Sequence, residues 1–159
     1  MKKREHVIPS APVPVPYGAR VMEQGVHFSI FSRHATRAWL LLFDHTEDET
    51  PKEEFELLPD RNRLGDLWHL HVPTARPGQC YVYRMDGPRD GAAGHAFDPE
   101  QWLLDPYALA VAGQKQWGDH EGIVPGQPVK NGRRFPKGVI LKDDFDWTGD
   151  RTLRVPLQE

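Results

Sequence analysis

The sequence predicts an all-β protein, an immunoglobulin-like antiparallel β-sandwich with long loops and little helix. Three observations carry that expectation: short runs rich in β-branched and aromatic residues recur along the chain, turn-forming residues separate them, and helical periodicity is almost absent. The Cys, Trp, Cys spacing of true immunoglobulin domains is missing, so the likeness is one of architecture.

The elements follow in order. Ala11 to Pro16 places proline at every second position, which holds the backbone near polyproline II and removes ladder donors, so residues 1–16 read as an extended leader. Residues 17–113 read as the sandwich. Within it, Val26 to Phe31 alternates, with Val26, Phe28 and Ile30 on one side and His27 and Ser29 on the other. Leu67 to Val72 repeats the pattern, Trp68, Leu70 and Val72 facing inward and His69 and His71 outward. Glu53 to Leu58 reads as an acidic edge strand, and Cys80 to Met85 follows the Pro77-Gly78 turn signal. Residues 114–142 read as a loop-rich completion with a last strand at Val139 to Leu141, after the Asn131-Gly132 turn signal. Glu100 to Ala112 is the one segment with room for a short helix, interrupted by Pro106. Residues 143–159 read as a connector.

One strand breaks the alternation. In Ala38 to Phe43 both faces are apolar, Leu40 and Leu42 on one and Trp39, Leu41 and Phe43 on the other. Such a strand needs cover on both sides, and an opposing sheet supplies only one. Trp39, Leu41 and Phe43 are therefore expected to meet a loop or another domain. Without such a neighbour they would form a sticky patch through which the chain pairs as a homodimer, and Trp39→Glu would improve solubility.

Composition excludes several function classes. Twenty Lys plus Arg against 23 Asp plus Glu give a formal charge of −3 over 159 residues, without the basic excess of a nucleic-acid binder. The length falls short of a (β/α)₈ barrel, which needs roughly 200 residues or more. Cys80 is the single cysteine, so no internal disulfide forms. The basic start, Met1 to Arg4, lacks the apolar run of about 7 to 15 residues that makes an export signal. The longest apolar stretch, Ala38 to Phe43, is far shorter than the roughly 20 residues of a membrane span. A cytoplasmic protein with no membrane partner is the expectation.

Catalytic and cofactor signatures are missing. Gly87 to Gly91 is a turn cluster with no Lys-Ser/Thr behind it, and neither Ser10 nor Ser32 sits in a nucleophile elbow. Cys80 lies within a predicted strand, where a buried thiol is inert. His69 and His71 fall on one strand face about 7 Å apart, but no third ligand is apparent, and neither metal nor other cofactor is expected. Asp143, Asp144 and Asp146 form an acidic run of the solvated kind rather than a catalytic pair held across a sugar. Several aromatic residues fall in turn-rich segments: Phe97, Trp102, Tyr107, Trp117 and Trp147. Two readings stand, rings that pack loops onto the sandwich and rings on which a pyranose lies.

Several strings carry a resemblance. They are Pro16-Tyr17-Gly18-Ala19, Gly25 to Ser32, Leu40 to Phe43, Tyr81 to Pro88, Phe97-Asp98-Pro99 and Leu103-Leu104-Asp105-Pro106-Tyr107-Ala108. In this order they resemble the amino-terminal domain of bacterial glycogen debranching enzymes and isoamylases, in carbohydrate-binding module family 48. The resemblance implies a non-catalytic sandwich that packs in cis against an α-amylase-type barrel, the parent hydrolysing α-1,6 branch linkages in glycogen. It also implies that Phe145 to Asp150 leads towards that barrel, and that Asp86, Leu104 and Tyr107 lie on the interdomain surface with the outer face of Trp39, Leu41 and Phe43. The starch platform of glucan-binding members, two tryptophans and a lysine, is not reproduced: Asp44 to Thr50 stands where the first tryptophan would, and an apolar residue near Val82 where the lysine would. The alternative is an autonomous branched α-glucan module using Arg84, Phe97 and Trp102.

Overall fold

The computed structural model describes residues 16–113, 135–142, 144 and 146–151. Among the described residues nine strands form two antiparallel sheets: β1 (Gly18–Val21), β2 (Val26–Phe31), β3 (Arg37–Phe43), β4 (Glu53–Leu57), β5 (Arg63–Leu64), β6 (Leu67–Val72), β7 (Cys80–Asp86), β8 (Ala110–Ala112) and β9 (Lys137–Val139). One sheet has the order β1-β2-β6-β5 and the other β4-β3-β7-β9-β8. A short α-helix, α1 (Pro59–Asn62), links β4 to β5. The sandwich expectation is met.

Period-two patterning explains why the sheets face each other. Val26, Phe28 and Ile30 of β2 and Trp68, Leu70 and Val72 of β6 meet Leu40 and Leu42 of β3, Phe55 and Leu57 of β4, and Tyr81, Tyr83 and Met85 of β7. Register preserves the pattern, with Phe28 opposite Leu70 and Leu40 opposite both Phe55 and Tyr83. A one-residue slip of β2 against β6 would bring His27 and Ser29 into this core. The Trp68 indole N–H donates to the Ser32 carbonyl at 3.1 Å, so the largest ring at the centre brings no orphaned donor.

The surplus face of β3 is covered by the chain itself. Trp39, Leu41 and Phe43 are 6%, 1% and 0% exposed and form a second apolar cluster with Cys80, Val82, Trp102 and Phe135. Trp102 meets Phe43 edge-on at 5.1 Å and Phe135 at 5.8 Å. Lys137 is fully buried here: its ammonium donates to the Thr46 carbonyl at 2.7 Å and lies 5.0 Å from the Phe43 ring and 5.4 Å from the Trp102 ring. Over Trp39 sit two guanidiniums, Arg37 at 4.6 Å and Arg84 at 5.5 Å. Each is ion-paired to an acidic residue of β4, Arg37 to Glu56 and Arg84 to Glu54. This corrects the expectation of an exposed apolar face and removes the reason for a homodimer through it, because loop residues far along the chain return as the missing third layer.

Two segments differ from expectation. Instead of a helix, Glu100 to Ala112 holds a bridge, a turn and a short strand: Leu103 exchanges two backbone hydrogen bonds with Tyr83, at 2.8 and 2.9 Å, the chain turns at Pro106-Tyr107, and β8 forms at Ala110–Ala112. The β7 edge beyond β9 offers unpaired backbone groups, and Pro106 blocks helical continuity. The last strand falls at Lys137–Val139 rather than at residues 139–141. Gly138 sets its position, since a Cβ there would lie 2.8 Å from the Tyr81 ring. Residues 1–15 of the leader and the Trp117 and Asn131-Gly132 segments lie outside the described residues.

Because Trp39 is a core residue, Trp39→Ala is expected to cost about 3–5 kcal/mol. Trp39→Glu is expected to be destabilising as well, since it removes the same ring from the second cluster and puts a carboxylate against Leu41 and Phe43. Urea unfolding reads both as a lowered midpoint. An unchanged midpoint for Trp39→Glu would remove Trp39 from the core.

Candidate functional site

The three residues named as glucan contacts are all engaged in packing. Trp102 is 6% exposed and closes the second cluster. Phe97 is half-buried against the main core and fits over Gly87, where a Cβ would stand 2.8 Å from the ring. Arg84 lies over Trp39 and is paired with Glu54. No flat ring with polar groups around it is presented by this trio, which the fold distributes over separate parts of the second sheet and its loops. In the Asp44 to Thr50 segment, the Asp44 carboxylate accepts from Lys52 and Gln79, which hold it below its usual range.

The Leu-Leu-Asp-Pro-Tyr-Ala segment forms a rigid corner. Asp105 is 2% exposed, accepts from the Tyr81 hydroxyl at 2.8 Å, and accepts from the Tyr107 backbone N–H at 2.9 Å. Burial raises its pKa, and the two hydrogen bonds oppose that rise. Tyr107 then stacks on Tyr17, centroids 4.4 Å apart and planes within 18°. Gly18 permits the approach: it has φ +91°, and a Cβ there would stand 2.7 Å from the Tyr107 carbonyl oxygen. Since Gly18 begins edge strand β1 and Ala110 begins edge strand β8, the tyrosine stack joins the open margins of the two sheets. Of the expected interdomain residues, Tyr107 is exposed and Leu104 half-buried, while Asp86 ends β7 with its backbone carbonyl accepting from Thr36 and its carboxylate from Gly87.

Sequence reading missed two partnerships. Tyr17 was not linked to Tyr107, ninety positions on, because only the fold brings the sheet margins together. His27 was not joined to His69 and His71, although all three were placed outward. Antiparallel pairing of β2 with β6 sets His27 opposite His71, and the rings stack at 5.6 Å to His69 and 6.4 Å to His71. Arg20 faces the same trio from β1, directly opposite His27. Among the described residues no group of three or more His, Cys, Asp or Glu is arranged to hold a metal ion. Burial, then His69, then His71, push the His27 imidazole down to about 4 from its usual 6.5, and burial lowers His69. Cys80 is buried and its thiol is pushed up by that burial, the state of an unreactive sulfur.

These contacts have measurable consequences. Above pH 6.5 His27 is neutral folded and unfolded; between 6.5 and about 4 the unfolded chain takes a proton that the folded chain refuses, so stability falls as pH drops through that window. His27→Gln is expected to flatten this part of a stability-against-pH curve, and an unchanged slope would show that His27 is not its source. Asp105→Ala removes the acceptor for the Tyr81 hydroxyl and the Tyr107 N–H, an expected loss of about 1.5–3 kcal/mol in urea unfolding.

The sequence profile described as carbohydrate-binding module 48, isoamylase N-terminal domain, matches residues 16–108, more than half of the chain. Glycogen debranching enzymes are similar over most of it: that of Erwinia tasmaniensis is 42% identical over 147 residues and that of Yersinia enterocolitica 35% over 147, each match covering 90% of this chain. The chain spans about a fifth of those relatives, 21% of their length. Among solved structures, the Group B Streptococcus pullulanase SAP superposes with a TM-score of 0.57 at 17% identity, covering 82% of this chain and 15% of that one, which is a likeness of fold. The two-sheet sandwich and the profile agree: this chain belongs to the carbohydrate-binding module 48 family, the isoamylase N-terminal domain.

Proposed function

We propose that this chain is the non-catalytic module of a glycogen debranching enzyme, which hydrolyses α-1,6 branch linkages in glycogen, and that it packs against and shapes the catalytic barrel in cis. One observation carries the reading: near-complete coverage of this chain against relatives named glycogen debranching enzyme, of whose length it makes up only 21%. Five of its carboxylates are committed to contacts within the module. Asp44 is tied to Lys52, Glu54 to Arg84, Glu56 to Arg37, Asp66 to Arg33 and Asp105 to Tyr81. A glycosidase instead needs two carboxylates about 5–9.5 Å apart across a sugar. In this arrangement residues 143–159 are the connector, and the Leu104 to Tyr107 corner is the chief contact with the barrel.

The second reading, an autonomous α-glucan module, rests on Arg84, Phe97 and Trp102, and the burial of Trp102 and the half-buried packing of Arg84 and Phe97 weigh against it. Affinity electrophoresis of the 159-residue chain in glycogen-loaded gel separates the two. Free migration is expected, with Trp102→Ala lowering thermal stability and leaving mobility unchanged. Retardation that Trp102→Ala abolishes would favour the glucan module, and reducing ends released from glycogen by the chain alone would overturn both.

A further inference from the structure

Four exposed large apolar side chains share one rigid corner. Residues 103–112 read Leu-Leu-Asp-Pro-Tyr-Ala-Leu-Ala-Val-Ala, and their one charged residue, Asp105, is buried. The whole chain is 27% charged, so ten residues without an accessible charge make a local departure from its own composition. On this stretch Leu103, Tyr107 and Leu109 are 37%, 45% and 50% exposed, and Tyr17, stacked on Tyr107, adds a fourth large apolar side chain at 39%.

Such exposure on a mobile loop would need no explanation. Here the backbone is fixed at both ends and in the middle: Leu103 is bridged to Tyr83, Asp105 is anchored to Tyr81, and β8 is laddered to β9. Rings locked in place lose little side-chain entropy when a partner covers them, and aromatic enrichment with depleted charge marks the centre of a protein interface.

We infer that the Tyr17–Tyr107 stack, flanked by Leu103 and Leu109, is the anchor by which this module docks on the catalytic domain in cis. The inference rests on the proposed function and deepens it by naming the face and the residues. The occupant is the catalytic domain because the relatives extend well beyond the part this chain matches, leaving about four-fifths of their length to cover such a face. The outer face of β3 is excluded as the anchor, since Trp102 and Phe135 already close it. A glucan chain on the two rings is the competing occupant.

Hydroxyl-radical footprinting of the 159-residue chain alone, and of the same chain joined in cis to its catalytic domain, tests the assignment. Labelling of Tyr17, Tyr107 and Leu109 is expected to fall several-fold in the joined protein without sugar. Protection that appears only with added maltohexaose would identify a glucan platform and overturn the docking assignment. Protection elsewhere on the module, with these three labelled equally in both proteins, would overturn the anchor and leave the proposed function standing. No protection anywhere on the module would overturn both. Leu109→Asp supplies a second readout: unchanged melting of the isolated chain, but loss of the shared unfolding transition in the joined protein. A shared transition that survives Leu109→Asp would remove Leu109 from the anchor.

Discussion

The constraint on which this structure depends is the need to cover β3 on both faces. A strand with alternating polar and apolar residues is satisfied by one opposing sheet, and β2 and β6 are of that kind. β3 is apolar throughout its centre, so a two-layer sandwich would leave Trp39, Leu41 and Phe43 in water, each side chain forgoing about 1.5–3 kcal/mol of burial. The chain answers with a partial third layer from residues more than fifty positions away, Trp102 and Phe135, with the buried Lys137 ammonium over the rings of Phe43 and Trp102. The residues that looked available for a ligand are consumed in making that layer.

A second consequence concerns where binding capacity is left. With Trp102 and Arg84 committed to packing, the tyrosine stack at the margin of the two sheets is a pair of exposed aromatic rings in a fixed geometry. Its rigidity comes from beneath. A carboxylate buried to 2% exposure survives there because a hydroxyl and a backbone N–H both donate to it, and because it organises the loop that carries Tyr107. The polar core and the apolar surface of this corner are therefore one construction.

Much of the candidate site was legible only in part. Tyr107 and Leu104 stood out through the Leu-Leu-Asp-Pro-Tyr-Ala string, but Asp105 at its centre, the residue that holds the corner, gave no signal of burial because an isolated Asp reads as a turn residue. The histidines were visible as an outward pair, His69 and His71, and the third member needed only the β2 to β6 register to be found. For Phe97 and Trp102 the sequence leaves two readings open, packing or sugar contact, because their segment lacks strand periodicity and a loop ring is free or packed according to what lies beneath it; the fold packs both.

Period-two patterning in Val26 to Phe31, Leu67 to Val72 and Cys80 to Met85 determined the sandwich by itself, since the alternation of side chains along a strand is a local property of the backbone. The two-faced character of β3 was equally local. Which atoms would cover its outer face was decided by the tertiary structure alone, along with the strand at Ala110–Ala112 and the meeting of Tyr17 with Tyr107. Those contacts join residues tens of positions apart, and a linear pattern records each side chain's need for burial without recording the partner that meets it.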